Sequence, residues 1–160
     1  MSLPNRVSPN ITLAEAIKSQ TAQRKNIDNT PTPEHFANMQ LLATKVFEPL
    51  RAHFNTPIAI SSFYRSPKLN KAIGGAANSQ HCTGEAMDID ADIFGKINNK
   101  QIFDYIRLNL DFDQLIWEFD NPDGTPQWVH VSYKRSGNRK QILKAKKNQR
   151  GQTIYEPWKL

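Results

Sequence analysis

Ser79-Gln80-His81-Cys82-Thr83-Gly84-Glu85-Ala86-Met87-Asp88 is the stretch on which the reading of this 160-residue chain turns. It sets an imidazole and a carboxylate seven positions apart, with a glycine between them that can take backbone angles closed to other residues. Ala86 to Ile89 reads as a short, partly buried strand, so the polar loop holding His81 feeds the strand holding Asp88. A third candidate ligand, His130, stands in Trp128-Val129-His130-Val131-Ser132. Strand alternation puts Trp128, His130 and Ser132 on one face and Val129 and Val131 on the other. The valines enter the core and leave His130 to a cleft. Two histidines and one carboxylate, with a fourth position left for water, describe a catalytic zinc site rather than a structural one.

A plainer reading competes at each position. A lone histidine in a strand is more often a hydrogen-bonded structural residue than a ligand, and the spacing of His81 and Asp88 alone decides nothing. His35, in the first turn of a helix, and His53, near the end of the same helix, read as structural. Asp88-Ile89-Asp90-Ala91-Asp92 begins like an EF-hand loop, but Ile93 stands where the glycine belongs and Asn99 where the bidentate glutamate belongs, which excludes calcium. Asp90 is exposed or orients a ligand histidine.

Working outward, Thr12-Leu13-Ala14-Glu15 is a capping box that starts a short helix toward Ser19, and residues 26–31 are loop. Thr32 with Pro33 opens a longer helix whose Phe36, Met39, Ala43, Val46, Phe47 and Leu50 make one apolar face for the core, with a kink at Pro49. Residues 57–62 read as a strand, and Ser66-Pro67 opens a short helix ended by Gly74-Gly75. Lys100 to Leu108 is a helix with Ile102, Phe103 and Ile106 inward. Residues 114–118 and 128–133 are strands joined across Asp120-Asn121-Pro122-Asp123-Gly124 as an antiparallel hairpin, and Gln141 to Lys144 adds an edge strand. The result is an α+β fold: a single domain over residues 1–160, N-terminal helices packed on a small, mostly antiparallel sheet, with 1–9 and 146–160 peripheral.

Composition agrees with an ordinary globular domain: 38% hydrophobic and 22% charged residues. No apolar run approaches the roughly 20 residues that span a bilayer. The N-terminus lacks the pattern of a secretory signal, so synthesis in the cytoplasm is expected. A lone cysteine, Cys82, excludes a disulfide framework; it reads as a small filler, not a nucleophile. The net charge of +6 favours an anionic partner, nucleic acid or wall polymer, although the basic run from Lys134 to Arg150 can equally be a solvated face. No recognition-helix or stacking-aromatic pattern supports specific nucleic-acid binding.

Residues 62–70, Gly74-Gly75, Ser79-Gln80-His81 with Gly84, Ala86 and Asp88, and Trp128-Val129-His130-Val131-Ser132 together resemble the zinc D-alanyl-D-alanine carboxypeptidase family, which includes L-alanyl-D-glutamate endopeptidases. The resemblance runs from about residue 10 to about residue 145, is nearest to the short bacterial and phage branch, and extends distantly to hedgehog domains. It implies a hedgehog/DD-peptidase-like fold, zinc on His81, Asp88 and His130, and hydrolysis of a peptide bond in the peptidoglycan stem. It further implies that Arg65 binds the substrate carbonyl or carboxylate and that Ser79, Tyr64 and Gln80 contact the peptide. Many members carry an acid three residues before the last histidine; here Gln127 stands there, and Glu118 is the best substitute as general base, ahead of Asp120 and Asp123 in the loop. A monomer acting on the wall after lysis, from a phage particle or by another export route is expected. The rival reading, encouraged by Gln127, is a non-catalytic wall-binding or phage virion structural module.

Overall fold

Short-range capping chemistry divides the N-terminal half into helices. The computed structural model describes residues 2–160. Strands β1 (Arg6–Ser8) and β2 (Ile11–Thr12) form a small antiparallel ribbon. Helix α1 (Leu13–Ala16) is capped by Thr12, whose Oγ1 accepts from the Glu15 backbone N–H at 3.1 Å. It does not run on to Ser19 as expected. Ser19 is itself a cap, its Oγ accepting from Ala22 N–H at 3.1 Å, and so starts α2 (Gln20–Arg24).

Thr32 caps α3 (Pro33–Leu42), which passes through a π turn (Ala43–Phe47) into α4 (Glu48–Phe54). Pro49, where a kink is expected, follows directly on that widened turn. Glu48 N–H donates five residues back to the Ala43 carbonyl, so the ladder has already changed spacing where the proline withdraws its donor. Phe36, Met39, Ala43, Val46, Phe47 and Leu50 are all buried.

The remaining elements are β3 (Ile60–Ser62), α5 (Pro67–Ala72), a 3₁₀ turn (Gln80–Thr83), β4 (Ala86–Ile89), a second 3₁₀ turn (Ala91–Ile93), α6 (Asn99–Asn109), β5 (Gln114–Asp120), β6 (Pro126–Ser132), β7 (Gln141–Lys147) and β8 (Thr153–Pro157). The six-stranded sheet has the order β3-β4-β6-β5-β7-β8 and is antiparallel except between β5 and β7. The fold is thus a single compact α+β domain with a mixed sheet. β7 is not the edge strand expected of residues 141–144: it continues to Lys147, and β8 pairs outside it. Just past β8, Trp158 packs on Phe103 and Trp117 with ring centroids 5.0 and 6.4 Å away.

The two faces of the sheet differ. Met87, Ile89, Leu115, Trp117, Val129 and Val131 share one buried cluster with residues of α3, α4 and α6. The opposite face carries a cross-strand row of Asp88, His130, Ile116 and Leu143. Among the described residues no helix is long and apolar enough to cross a membrane.

Gly84 joins the 3₁₀ turn to the glutamate before β4 at φ +77°, where a β-carbon would sit 2.4 Å from the His35 carbonyl oxygen and 2.7 Å from Met39 Cγ. Gly84→Ala therefore meets both a costly left-handed backbone angle and a backbone wall, and is expected to lower stability by about 2–4 kcal/mol. A lower urea midpoint at unchanged slope is the readout; a midpoint within error of the parent would contradict the steric argument.

Candidate metal centre

The antiparallel register of β4 and β6 sets Asp88 directly opposite His130. His81 arrives from the 3₁₀ turn, whose left-handed Gly84 returns the chain toward β4. One carboxylate oxygen, Asp88 Oδ1, lies 3.3 Å from His81 Nε2 and 3.0 Å from His130 Nδ1. One donor atom from each residue lies within 4.8 Å of the other two. Tetrahedral coordination with bonds of about 2.0–2.1 Å has edges of about 3.3 Å, so these separations already suit one small divalent ion.

The ring of His81 is held for this task. Its Nδ1 lies 2.7 Å from the Phe63 carbonyl oxygen, which can only accept, so Nδ1 carries a proton and Nε2 faces the cluster, donating to Asp88 when it is protonated and offering a lone pair to a cation when it is not. Burial disfavours the charged form of Asp88, but His81 and the hydrogen bonds from both histidines outweigh it and hold the carboxyl well below the usual range. An anion with two aligned imidazoles is the donor set that a zinc-type cation takes.

On the same face, β5 pairs Ile116 with His130 and Glu118 with Trp128, which puts Glu118 one row along from His130. Glu118 is only 7% exposed. Burial, with a smaller push from Asp88 and partly opposed by His130, lifts its carboxyl to about 7. The next residue, Phe119, takes φ +59°, a strained angle for a bulky side chain. Its ring lies 5.4 Å from that of Trp128, and the Lys147 ammonium stands 5.3 Å from its centroid.

The cleft over the cluster has a volume of about 590 Å³ and is also bordered by Arg65, Ser79 and Gln80. Arg65 stands between it and a second groove of about 750 Å³, and its Nε is buried without a partner. Ser79 Oγ accepts from His81 N–H at 3.2 Å, and Gln80 Nε2 donates to Asp113 Oδ2 at 3.0 Å, so both also brace the turn.

Tyr64 is not brought here. It is 4% exposed, its hydroxyl lies 3.2 Å from His35 Nδ1, and it borders the second groove, because the residue after Phe63 on this extended segment turns toward α3. Gln127 is exposed and donates to the Asp120 carbonyl at 3.2 Å; three residues from His130 in a strand is an odd step, which faces the other way. Asp90 bonds Asn99 Nδ2 at 3.0 Å rather than a ligand histidine. Burial pushes the Cys82 thiol up, against the influence of Arg65, as suits an unreactive side chain.

The sequence reading missed the Phe63 carbonyl, which as backbone leaves no residue signature. It also missed Leu143, Lys147 and Tyr155, which border the cleft from β7 and β8. Alternation along 141–147 was the available signal. The family model described as Peptidase M15 matches residues 9–132, a span that includes the cluster, Arg65 and Glu118 and ends before β7. No curated protein matches the chain at a significant level.

Proposed function

The chain belongs to the peptidase M15 family of metallopeptidases, and from that premise we propose that it is a zinc enzyme hydrolysing a peptide bond in the peptidoglycan stem, as a D,D-carboxypeptidase or an endopeptidase. The observation that carries this reading is a buried carboxyl with a pKa of about 7 in the same cleft as the compact His81, Asp88 and His130 cluster. Zinc held by those three side chains would lower the pKa of water toward about 7 and polarise the scissile carbonyl.

Glu118 does the proton work. It takes a proton from the attacking water as the C–O bond forms, and returns it to the leaving nitrogen as the C–N bond breaks. A carboxyl poised near neutrality suits both directions. Arg65 supplies charge. Its side chain borders the cleft and makes no ion pair among the described residues, so the guanidinium is free to meet an anionic oxygen there. Arg65→Ala is accordingly expected to lower kcat/KM about a hundredfold, with metal content unchanged. Loss of less than about threefold would remove Arg65 from the reaction.

The net charge of +6 suits anionic wall polymers, and access after lysis, from a virion or by another export route is part of the same proposal. The non-catalytic alternative drew on Gln127, but that side chain faces away from His130 while a carboxyl stands at 118. Elemental analysis of the purified protein, with muropeptide mass spectrometry after digestion of peptidoglycan, tests the reading. About one zinc per chain and new amine termini are expected, and the fragment masses name the bond. Full metal occupancy with no cleavage of any wall preparation would instead favour the binding module.

A further inference from the structure

The chain continues past the matched residues into two strands that add a wall to the cleft. Glu118 pairs with Ala145 on β7, and Ala145 pairs with Tyr155 on β8. Trp128, Glu118, Ala145 and Tyr155 therefore form one row across four strands, on the face that carries His130. With strands about 4.8 Å apart, the Tyr155 backbone stands about 10 Å from that of Glu118. Only the methyl group of Ala145 lies between them, and it is completely covered although it belongs to the face away from the core helices. A long side chain leaning inward across so small a residue reaches the cleft, and Tyr155 borders it together with His81, Asp88, Glu118 and His130.

Tyr155 is 55% exposed, so a ligand can touch it. An ordinary phenol is a neutral O–H at physiological pH, and burial, first among the causes, pushes this one further up. The tyrosine side chain thus shares the cleft with the candidate ligand Asp88 and the candidate base Glu118, and the space among them is bounded by all three. The reacting carbonyl must occupy that space. The other donors on this wall, Lys147 and Thr153, are engaged elsewhere: the Lys147 ammonium lies over the ring of Phe119 and donates to Thr153 Oγ1 at 2.7 Å.

We propose that Tyr155 is a catalytic residue, whose hydroxyl donates a hydrogen bond to the scissile carbonyl oxygen as that oxygen gains negative charge. Tyr155 keeps its proton throughout; the transferred proton moves through Glu118. The role rests on the peptidase reading above, and it assigns a chemical task to the β7–β8 addition that the matched span lacks.

Tyr155→Phe removes the hydroxyl and keeps the ring. Two quantities are measured on the zinc-loaded protein: steady-state hydrolysis of a stem peptide, and calorimetric affinity for a phosphinate dipeptide and for the product peptide. The phosphinate mimics the tetrahedral anion. The variant is expected to lose about ten- to a hundredfold in kcat and a similar factor in phosphinate affinity, with KM and product affinity within about twofold of the parent. If Tyr155→Phe matches a cleaving parent in kcat and phosphinate affinity, or if only KM rises in Tyr155→Ala, the ring is a passive wall and the proposal fails while the peptidase reading stands. A parent that neither cleaves nor binds the phosphinate sinks both. A parent that binds the phosphinate through Tyr155 yet cleaves no stem peptide keeps this hydrogen bond and overturns the substrate.

Discussion

Glu118→Gln is expected to lower kcat by about three to four orders of magnitude while the protein still takes up one equivalent of metal. The amide has the shape of the carboxyl but cannot accept a proton from water, and Glu118 is not one of the three clustered donors. The same substitution has a second readout. The Glu118 carboxyl sits near 7 in the fold against an ordinary 4.5, chiefly because burial penalises its charge. The folded state therefore holds this proton longer than the unfolded chain does. In chelator the parent should lose stability as pH rises from about 4.5 to about 7, by up to about 3 kcal/mol, and stay at the lower level above that. Metal-free Glu118→Gln should escape this loss: close to the parent at pH 4, more stable at pH 8. Urea melts at the two pH values measure it, and an equal difference at both would show that burial does not strain this carboxylate. With a cation bound nearby the charged form is favoured, so the acid limb of the rate profile is expected at or below pH 7.

His81→Ala is expected to abolish both metal uptake and turnover, which separates it from Glu118→Gln. Removing a group that merely orients a ligand typically costs ten- to a hundredfold in metal affinity, so losing one of three ligands should cost at least about a hundredfold. The change also strands the Phe63 carbonyl and empties a site that is 1% exposed, for a further loss of about 2–3 kcal/mol in stability. Near-ultraviolet dichroism of the chelated parent and variant shows whether the fold survives. A folded His81→Ala protein that binds zinc as tightly as the parent would remove His81 from the ligand set.

What could be read from the chain was local. Thr32 with Pro33, the strand Ala86–Ile89 and the alternation of Val129 and Val131 about His130 follow from rules that act over a few residues, and the structure repeats them. The α1 cap was legible too, but a second cap at Ser19 broke the helix early. The partner of β7 was not legible. Strand β7 lies parallel to β5 because the Arg139 guanidinium grips the buried Asp113 carboxylate at 2.9 and 2.8 Å, and Gln141 N–H donates to the Asp113 carbonyl at 2.9 Å. That ion pair joins residues 26 positions apart and has no sequence signature. The left-handed Phe119 and the inward turn of Tyr64 were likewise set by neighbours distant in the chain. For the candidate centre, residue types and strand alternation suggested His81, Asp88 and His130, the resemblance supported the set that spacing alone could not decide, and the packing of β4 against β6 brings the three side chains together.

Because the core helices gather on a single side of the sheet, the reactive groups lie along an open trough rather than at the bottom of a shaft. On the substrate proposed above, a meshwork polymer with few loose ends to thread, a trough lets a strand be laid in from the side. Such access leaves the reacting bond wet. The aromatic rings of Trp128, Phe119 and Tyr155 along its banks are then the means of drying it, and only once a chain lies between them.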